Sequence, residues 1–162
     1  MTDIRRTNRD IVEKFFRYST SPLPTGDDLL DLKNMFSKDA VWQMPFMPAP
    51  LQKAMEGRAL IGHFLDWFFA HVPDLEVVDR VVHETADPGL FVIEFKGRAT
   101  VTTTGKPYHQ TYVLMMYIED GKLVRLREHF DAMVVWDSFG GEKGLTDALA
   151  EIVEAATSDA SA

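Results

Sequence analysis

One carboxylate interrupts an apolar strand pattern near the end of the chain. In the segment 122–131, Val124, Leu126, Glu128 and Phe130 alternate with polar residues, so these four side chains share one face of the predicted strand. That face should point to the core, which places the Glu128 carboxyl among apolar neighbours. Burial raises the pKa of a carboxyl, and a raised pKa suits a general acid or base near neutral pH. A shifted register, or a Glu at the rim paired with an Arg, would explain the pattern equally well.

Other polar side chains that could do chemistry are scattered. Gln43 lies on a strand before a run of prolines, where its amide could hold a ligand oxygen or a water, or be an ordinary exposed group. His129 and Asp131 share the face opposite Glu128, either as a dyad or as outward polar residues at a subunit contact. His63 stands beside the apolar stripe of a predicted helix. The histidines lack metal-ligand spacing, so we predict no metal site and no cofactor.

Hydrophobic periodicity divides the chain into a helical first half and a stranded second half. Thr7 or Asn8 should cap a helix that ends near residue 18, and further helices are predicted over 27–36, 59–71 and 143–155. Strands are predicted over 40–44, 75–85, 90–102, 108–118 and 122–135. Helices followed by a run of strands favour an α+β cone-shaped roll, with the N-terminal helices in the concave face of a bent, mostly antiparallel sheet.

The mouth of such a sheet usually holds a ligand. We therefore predict an apolar pocket centred on Glu128, with Gln43 as a second catalytic residue. The residues expected to line it are Phe15, Val41, His63, Phe64, Trp67, Phe68, Phe95, Leu126 and Phe130.

Length and composition narrow the possible functions. The 162 residues suit one domain over 1–155, followed by a disordered tail over 156–162. A net charge of −8 with scattered Lys and Arg argues against a nucleic-acid partner. No run of 18 apolar residues is present, so no membrane span is expected. Cysteine is absent and the first ten residues lack an apolar stretch, so we expect a cytoplasmic location.

Six short segments, in their order and spacing, resemble the SnoaL-like branch of the NTF2-like superfamily. They are NRDIVE (8–13), DAVWQMP (39–45), EGRA (56–59), VPD (72–74), DPGLF (87–91) and DGKLVRLREHFD (120–131). The resemblance runs from the first helix to about residue 139. It implies the cone-shaped roll, a small hydrophobic ligand and a homodimer.

Two relatives in that superfamily differ in how they map onto this chain. Ketosteroid isomerases need a Tyr and an Asp where this chain has Phe15 and Met44, so the resemblance does not carry that isomerase site. The catalytic Glu of PhzA/PhzB-type phenazine biosynthesis proteins maps onto Glu128. Their active-site His and Ser map near Phe64 and Phe68, so those substrate contacts are not retained.

Limonene epoxide hydrolases are the third relative. Their water-holding tyrosine, asparagine and aspartate map near Val41, Gln43 and Glu128. Their Arg–Asp pair maps onto Phe95 and Gly97, so the pair that activates the epoxide is missing. Every one of these resemblances leaves Glu128 as the shared acidic group and removes polar partners around it.

Three functions fit these observations. The first is a cofactor-free acid–base enzyme, of isomerase or cyclase type, acting on a small apolar cyclic or polyketide-like molecule. The second is a module that only binds a small hydrophobic molecule or only dimerises, and the third is water addition of the epoxide-hydrolase kind. The outward face of the last two strands is rich in apolar and basic residues, so we predict a homodimer packed through Thr111, Val113, Met115, Tyr117, Arg125, Arg127 and His129.

Overall fold

The structure of the protein, a computed structural model, describes residues 3–159. Its helices are α1 (Asp3–Tyr18), α2 (Gly26–Asn34), α3 (Arg58–His71), α4 (Ala132–Ser138) and α5 (Gly141–Asp159). Its strands are β1 (Phe36–Gln43), β2 (Ala54–Glu56), β3 (Glu76–Glu84), β4 (Leu90–Thr100), β5 (Pro107–Glu119) and β6 (Lys122–Phe130). They form one six-stranded sheet in the order β2-β1-β6-β5-β4-β3.

The sheet is mixed and has one apolar face. β1 runs parallel to β6, and every other neighbouring pair is antiparallel. Along β5 the buried and exposed residues alternate, because successive side chains leave a strand on opposite faces. Registers shift within the β3–β4, β5–β6 and β1–β6 pairs, and such irregularities bend a sheet. The curled, unclosed sheet and its helices confirm the predicted α+β class.

The N-terminal helices fill the concave face of the sheet. Phe15 of α1 lies edge-on to Trp42 of β1 at 6.4 Å, whereas Phe16 reaches Phe95 of β4 at 5.0 Å. The α1 helix therefore crosses the sheet from one side to the other. Phe64 of α3 packs on Trp42 at 5.6 Å from a second direction. The core thus lies between these helices and the inner face of the strands.

The predicted last strand was wrong beyond Phe130. Residues 132–138 form α4 instead, because the Asp131 side chain accepts a hydrogen bond from the Met133 amide at 2.8 Å and caps a new helix. Buried Gln110 holds this turn by donating to the Asp131 carbonyl and accepting from the Asp131 amide, both at 2.9 Å. The run of apolar residues after Asp131 resembles a strand in sequence, but this capping ends the sheet.

Smaller differences concern the ends of elements and one short strand. The first helix begins at Asp3, so Thr7 and Asn8 lie inside it and the predicted cap was wrong. The second helix ends at Asn34, and Phe36 already belongs to β1, which is longer than predicted. The short strand β2 was not predicted. The α5 helix continues to Asp159, so residues 156–159 of the predicted disordered tail are helical, and residues 160–162 lie outside the described residues. No helix within 3–159 combines the length and the hydropathy needed to cross a membrane.

Candidate functional site

A cavity opens between the concave face of the sheet and the helices that cover it. The space inside it that admits a water-sized molecule is about 80 Å³, and most of its wall is aromatic or aliphatic. Seven of the residues predicted for the site lie on this wall: Phe15, Phe64, Trp67, Phe68, Phe95, Glu128 and Phe130. The α4–α5 segment, which sequence reasoning did not place near the site, adds Val135, Phe139 and Leu145.

Among the described residues, Glu128 is the only one with a carboxyl group on this wall, and no Lys, Arg or His lines the cavity. Glu128 as a whole residue is partly accessible, on the side that lines the cavity. Its carboxyl group is surrounded by protein atoms. Burial raises the pKa of Glu128 from its usual 4.5 to about 8. Phe95 and Gly97 line the cavity where an Arg–Asp pair would stand in an epoxide hydrolase, so no cation opposes the shift.

The indole N–H of Trp42 is the polar group that most directly influences this carboxyl. Trp42 pairs with Leu126 in the β1–β6 register, two residues before Glu128 on the same face. It favours the ionised carboxylate and lowers the pKa of Glu128, but less than burial raises it. Nε1 of Trp42 has no hydrogen-bond partner within residues 3–159. The indole N–H and the Glu128 carboxyl are therefore not at normal hydrogen-bond distance and angle. The indole N–H therefore acts on the carboxylate as a nearby dipole.

Trp67 adds a second buried indole N–H without a partner among those residues. Its ring stacks on His71 at 4.7 Å and on Phe64 at 6.1 Å, and it lines the cavity. A buried donor that lacks an acceptor costs about 1–3 kcal/mol. Such groups are uncommon in folded proteins.

Three hydroxyl side chains also line the cavity: Ser19, which donates to the Phe15 carbonyl, and two tyrosines. Tyr108 and Tyr112 of β5 are buried, line the cavity, and hold their hydroxyl oxygens 2.6 Å apart. Burial raises the pKa of both hydroxyls, and the Glu128 carboxylate adds to the increase. Sequence reasoning missed this pair. The signal was present, because the alternation that puts Thr111 and Val113 on the outer face puts Tyr112 on the inner one.

Gln43 was wrongly predicted to face the pocket. It precedes Met44 and follows Trp42, both of which line the cavity, so its own side chain leaves the strand on the other face. There its Oε1 accepts a hydrogen bond from Nε of Arg127 at 3.0 Å. Val41 shares that face by the same alternation and does not line the cavity either.

His63 and Leu126 also stand apart from the cavity wall. The His63 imidazole faces α5, with Nε2 3.3 Å from the Asp159 carboxylate. Leu126 does belong to the inner face, but its side chain is fully buried in the core and does not reach the cavity. The alternation of apolar residues along a strand predicts which face a side chain occupies. Whether that side chain also reaches a cavity depends on which neighbouring side chains cover it.

His129 and Asp131 do not form a dyad. The His129 ring packs against Phe46 at 5.7 Å on the outer face, and the Asp131 side chain caps α4. Within residues 3–159, no group of three or more His, Asp or Glu side chains is arranged to hold a metal ion.

Comparison with known proteins places this geometry in a family. Residues 12–126 match the SnoaL-like domain. The uncharacterized protein YesE of Bacillus subtilis is 28% identical over 114 residues, which are 70% of this chain and 78% of YesE. An uncharacterized PhzA/B-like protein of Pseudomonas aeruginosa is 28% identical over 123 residues, covering 76% of this chain and 84% of that protein.

A solved structure agrees with these sequence relatives. A Bacillus subtilis protein provisionally named an isomerase superposes with a TM-score of 0.76 at 25% identity, over 87% of this chain and 98% of the other. The match to the family runs from the second half of α1 to Leu126 in the middle of β6, and the match in structure covers 87% of the chain. This chain belongs to the SnoaL-like domain family, within the NTF2-like fold.

Proposed function

We propose that the protein is an acid–base enzyme of isomerase or cyclase type, which acts without a cofactor on a small apolar ring compound. The observation that carries this proposal is the single carboxyl of Glu128 on the wall of an aromatic cavity. A pKa of about 8 leaves about one carboxyl in ten ionised at pH 7, so both protonation states are available. A purely apolar ligand gains nothing from a buried carboxyl, whose burial costs free energy.

The geometry supports one elementary step. The ionised Glu128 takes a proton from a carbon next to a carbonyl group, and the C–H electron pair becomes the C=C bond of an enolate. Return of that proton to a different carbon is an isomerisation. Attack of the enolate carbon on a second carbonyl of the same molecule is a cyclisation, after which Glu128 protonates the new alkoxide. The apolar wall strengthens these proton transfers because it excludes water.

Hydrogen–deuterium exchange tests this step before a natural substrate is identified. We expect the protein to speed the exchange of the α-protons of ring ketones such as 2-tetralone in D₂O, followed by proton NMR. Glu128→Gln keeps the volume and removes the base, so it should slow the catalysed exchange by about 100-fold or more. Glu94→Gln makes the same change on the exposed side of β4 and should leave the rate unchanged.

Two results would count against catalysis by Glu128. One is an exchange rate in a panel of ring ketones that does not exceed the buffer rate. The other is wild-type exchange in Glu128→Gln. Binding of the same ketones without exchange would support the alternative function, a module that only binds small hydrophobic molecules. That alternative is favoured by the absence of any charged partner for Glu128 on the cavity wall within residues 3–159.

The structure does not favour water addition to an epoxide, because the residues that would hold the water do not meet in the cavity. Of the three positions that would hold the water, only Glu128 lines the cavity, since Val41 and Gln43 face the other way. We therefore do not propose it.

We also propose that the protein is a homodimer packed through the outer face of β5 and β6. Cross-strand neighbours there combine apolar and basic groups, as in the Val113–His129 and Met115–Arg127 pairs. The Arg125 guanidinium lies 5.1 Å from the centre of the Tyr117 ring, and exposed Phe46 packs on His129 beside it. Aromatic, Met and Arg side chains are the types enriched at protein interfaces.

A further inference from the structure

The inner face of β5 carries two tyrosines that the proposed step at Glu128 does not use. Tyr108 and Tyr112 are four residues apart, so both side chains leave the strand on the concave side, and both line the cavity. Their hydroxyl oxygens are 2.6 Å apart, with one hydroxyl donating to the other. Two hydroxyls carry two protons and this contact uses one. The pair therefore keeps one O–H for which residues 3–159 supply no acceptor in hydrogen-bond contact.

The register of the sheet puts this pair beside Glu128. Leu114 of β5 is directly opposite Glu128, and Tyr112 is directly opposite Phe130. Tyr112 is thus a diagonal neighbour of Glu128 on the concave side, at a backbone separation of about 7–8 Å. Both side chains line the cavity, so one small molecule bound there can lie beside both of them.

The packing of the two rings holds the hydroxyls in place. Phe95 stacks on Tyr112 with ring centres 4.6 Å apart, and Phe139 meets Tyr108 edge-on at 5.7 Å. A phenol with the ordinary tyrosine pKa is already protonated at neutral pH, and burial raises the pKa of both tyrosines further, so they act as donors instead of bases. A fixed O–H donor in a water-poor cavity favours an oxygen acceptor, and more so when that oxygen gains negative charge.

We propose that the Tyr108–Tyr112 pair binds the carbonyl oxygen of the substrate, which identifies the substrate class as apolar ring ketones with an enolisable C–H bond facing Glu128. This inference deepens the proposed function and rests on it. As Glu128 removes the proton, the C–H electron pair forms the C=C bond and the C=O π pair moves to oxygen. The enolate oxygen then accepts the hydrogen bond from the free hydroxyl. The donor role that Gln43 was predicted to fill falls to this pair.

Equilibrium dialysis with a matched pair of probes tests the oxygen contact without any reaction. 2-Tetralone carries the carbonyl, and tetralin has the same two-ring shape without it. The wild-type protein should bind 2-tetralone more tightly than tetralin. Tyr108→Phe combined with Tyr112→Phe should lower that affinity ratio by about two- to tenfold, the effect of one lost hydrogen bond. Tyr117→Phe, on the same strand with its ring under Arg125 on the outer face, is the control and should keep the ratio.

The ratio separates recognition of the oxygen from damage to packing. A packing defect weakens both probes alike and leaves the ratio at its wild-type value, and a ratio unchanged in the double variant overturns the inference. The deuterium-exchange assay distinguishes a failure of the tyrosine inference from a failure of the proposed function. Fast exchange with an unchanged ratio rejects the tyrosine pair and keeps Glu128. A ratio that depends on the tyrosines, without exchange in the wild type, rejects catalysis and keeps the carbonyl-binding pair.

Discussion

The buried carboxyl of Glu128 links the stability of the fold to pH. Its pKa is about 8 in the folded protein and near 4.5 when exposed, so the folded state binds the proton more tightly. A group of this kind costs nothing below pH 4.5, where it is neutral in both states. Its cost grows as pH rises through the window from 4.5 to 8, and reaches its full value above pH 8.

Glu128→Gln should remove that pH dependence. We expect the variant and the wild type to have similar free energies of unfolding at pH 4.5, and the variant to be more stable by on the order of 3–5 kcal/mol at pH 8.5. Urea unfolding followed by circular dichroism at these two pH values measures the difference. A stability difference that is constant across the window would mean that the carboxyl reaches water in the folded protein.

At the scale of single residues, the sequence predicted which face of a strand a side chain occupies more reliably than it predicted which other side chains it contacts. Glu128 stood out because a carboxylate broke an apolar alternation that its own strand defined. Gln43 failed the same test, because Trp42 and Met44 on either side of it are the apolar, inward residues. The Tyr108–Tyr112 contact could not be read from the chain, since the distance between two hydroxyls depends on how the sheet curls.

At the scale of elements, the junction of α4 and α5 depends on a residue without a side chain. A Cβ at Gly144 would lie 1.6 Å from the carbonyl oxygen of Phe139, and a backbone oxygen cannot move aside as a flexible side chain can. We predict that Gly144→Ala shifts α5 and destabilises the protein by about 1–3 kcal/mol or more. Because Phe139 and Leu145 line the cavity, the same change should weaken binding of 2-tetralone.

Gly62 of α3 provides the matched control. A Cβ there would meet only the aliphatic carbons of the flexible Lys33 side chain, the nearest at 3.4 Å, which is an ordinary van der Waals contact. Gly62→Ala should therefore be neutral, or stabilising by about 0.4–1 kcal/mol through the smaller entropy of the unfolded chain. Thermal unfolding of both variants checks the pair, and equal melting temperatures would show that α5 tolerates the extra carbon.

Helices and strands were predictable where a periodic pattern of apolar residues continues over many residues. The first three helices and the strands β3 to β6 show repeats of 3.6 or 2 residues that tertiary packing does not change. The short strand β2 was missed because three residues carry no period. The start of α4 was missed because a cap at Asp131, supported by Gln110 from another strand, overrides an apolar run that reads as strand.

At the scale of the whole molecule, the outer face of β5 and β6 should set the oligomeric state. Val113 is 38% exposed at the centre of that face, and Val113→Glu would bring a buried charge into each copy of a symmetric interface. We expect light scattering at micromolar concentration to report a dimer for the wild type and a monomer for the variant. Ile4→Glu, at a 65% exposed position on α1, is the control and should remain a dimer. A monomeric wild type would contradict the proposed interface.

The cavity shares part of its wall with a second apolar space beneath α5. Met44, Met47, Leu51 and Phe64 line both spaces, and exposed Gln52 and Val153 line the second one. Two of the four shared side chains are flexible thioethers, so side-chain rotation at this wall can join the two spaces while the helices and strands stay in place. Side-chain rotations are much faster than local unfolding. Exchange of ligands should therefore be rapid, and its rate should be insensitive to urea concentrations that leave the fold intact.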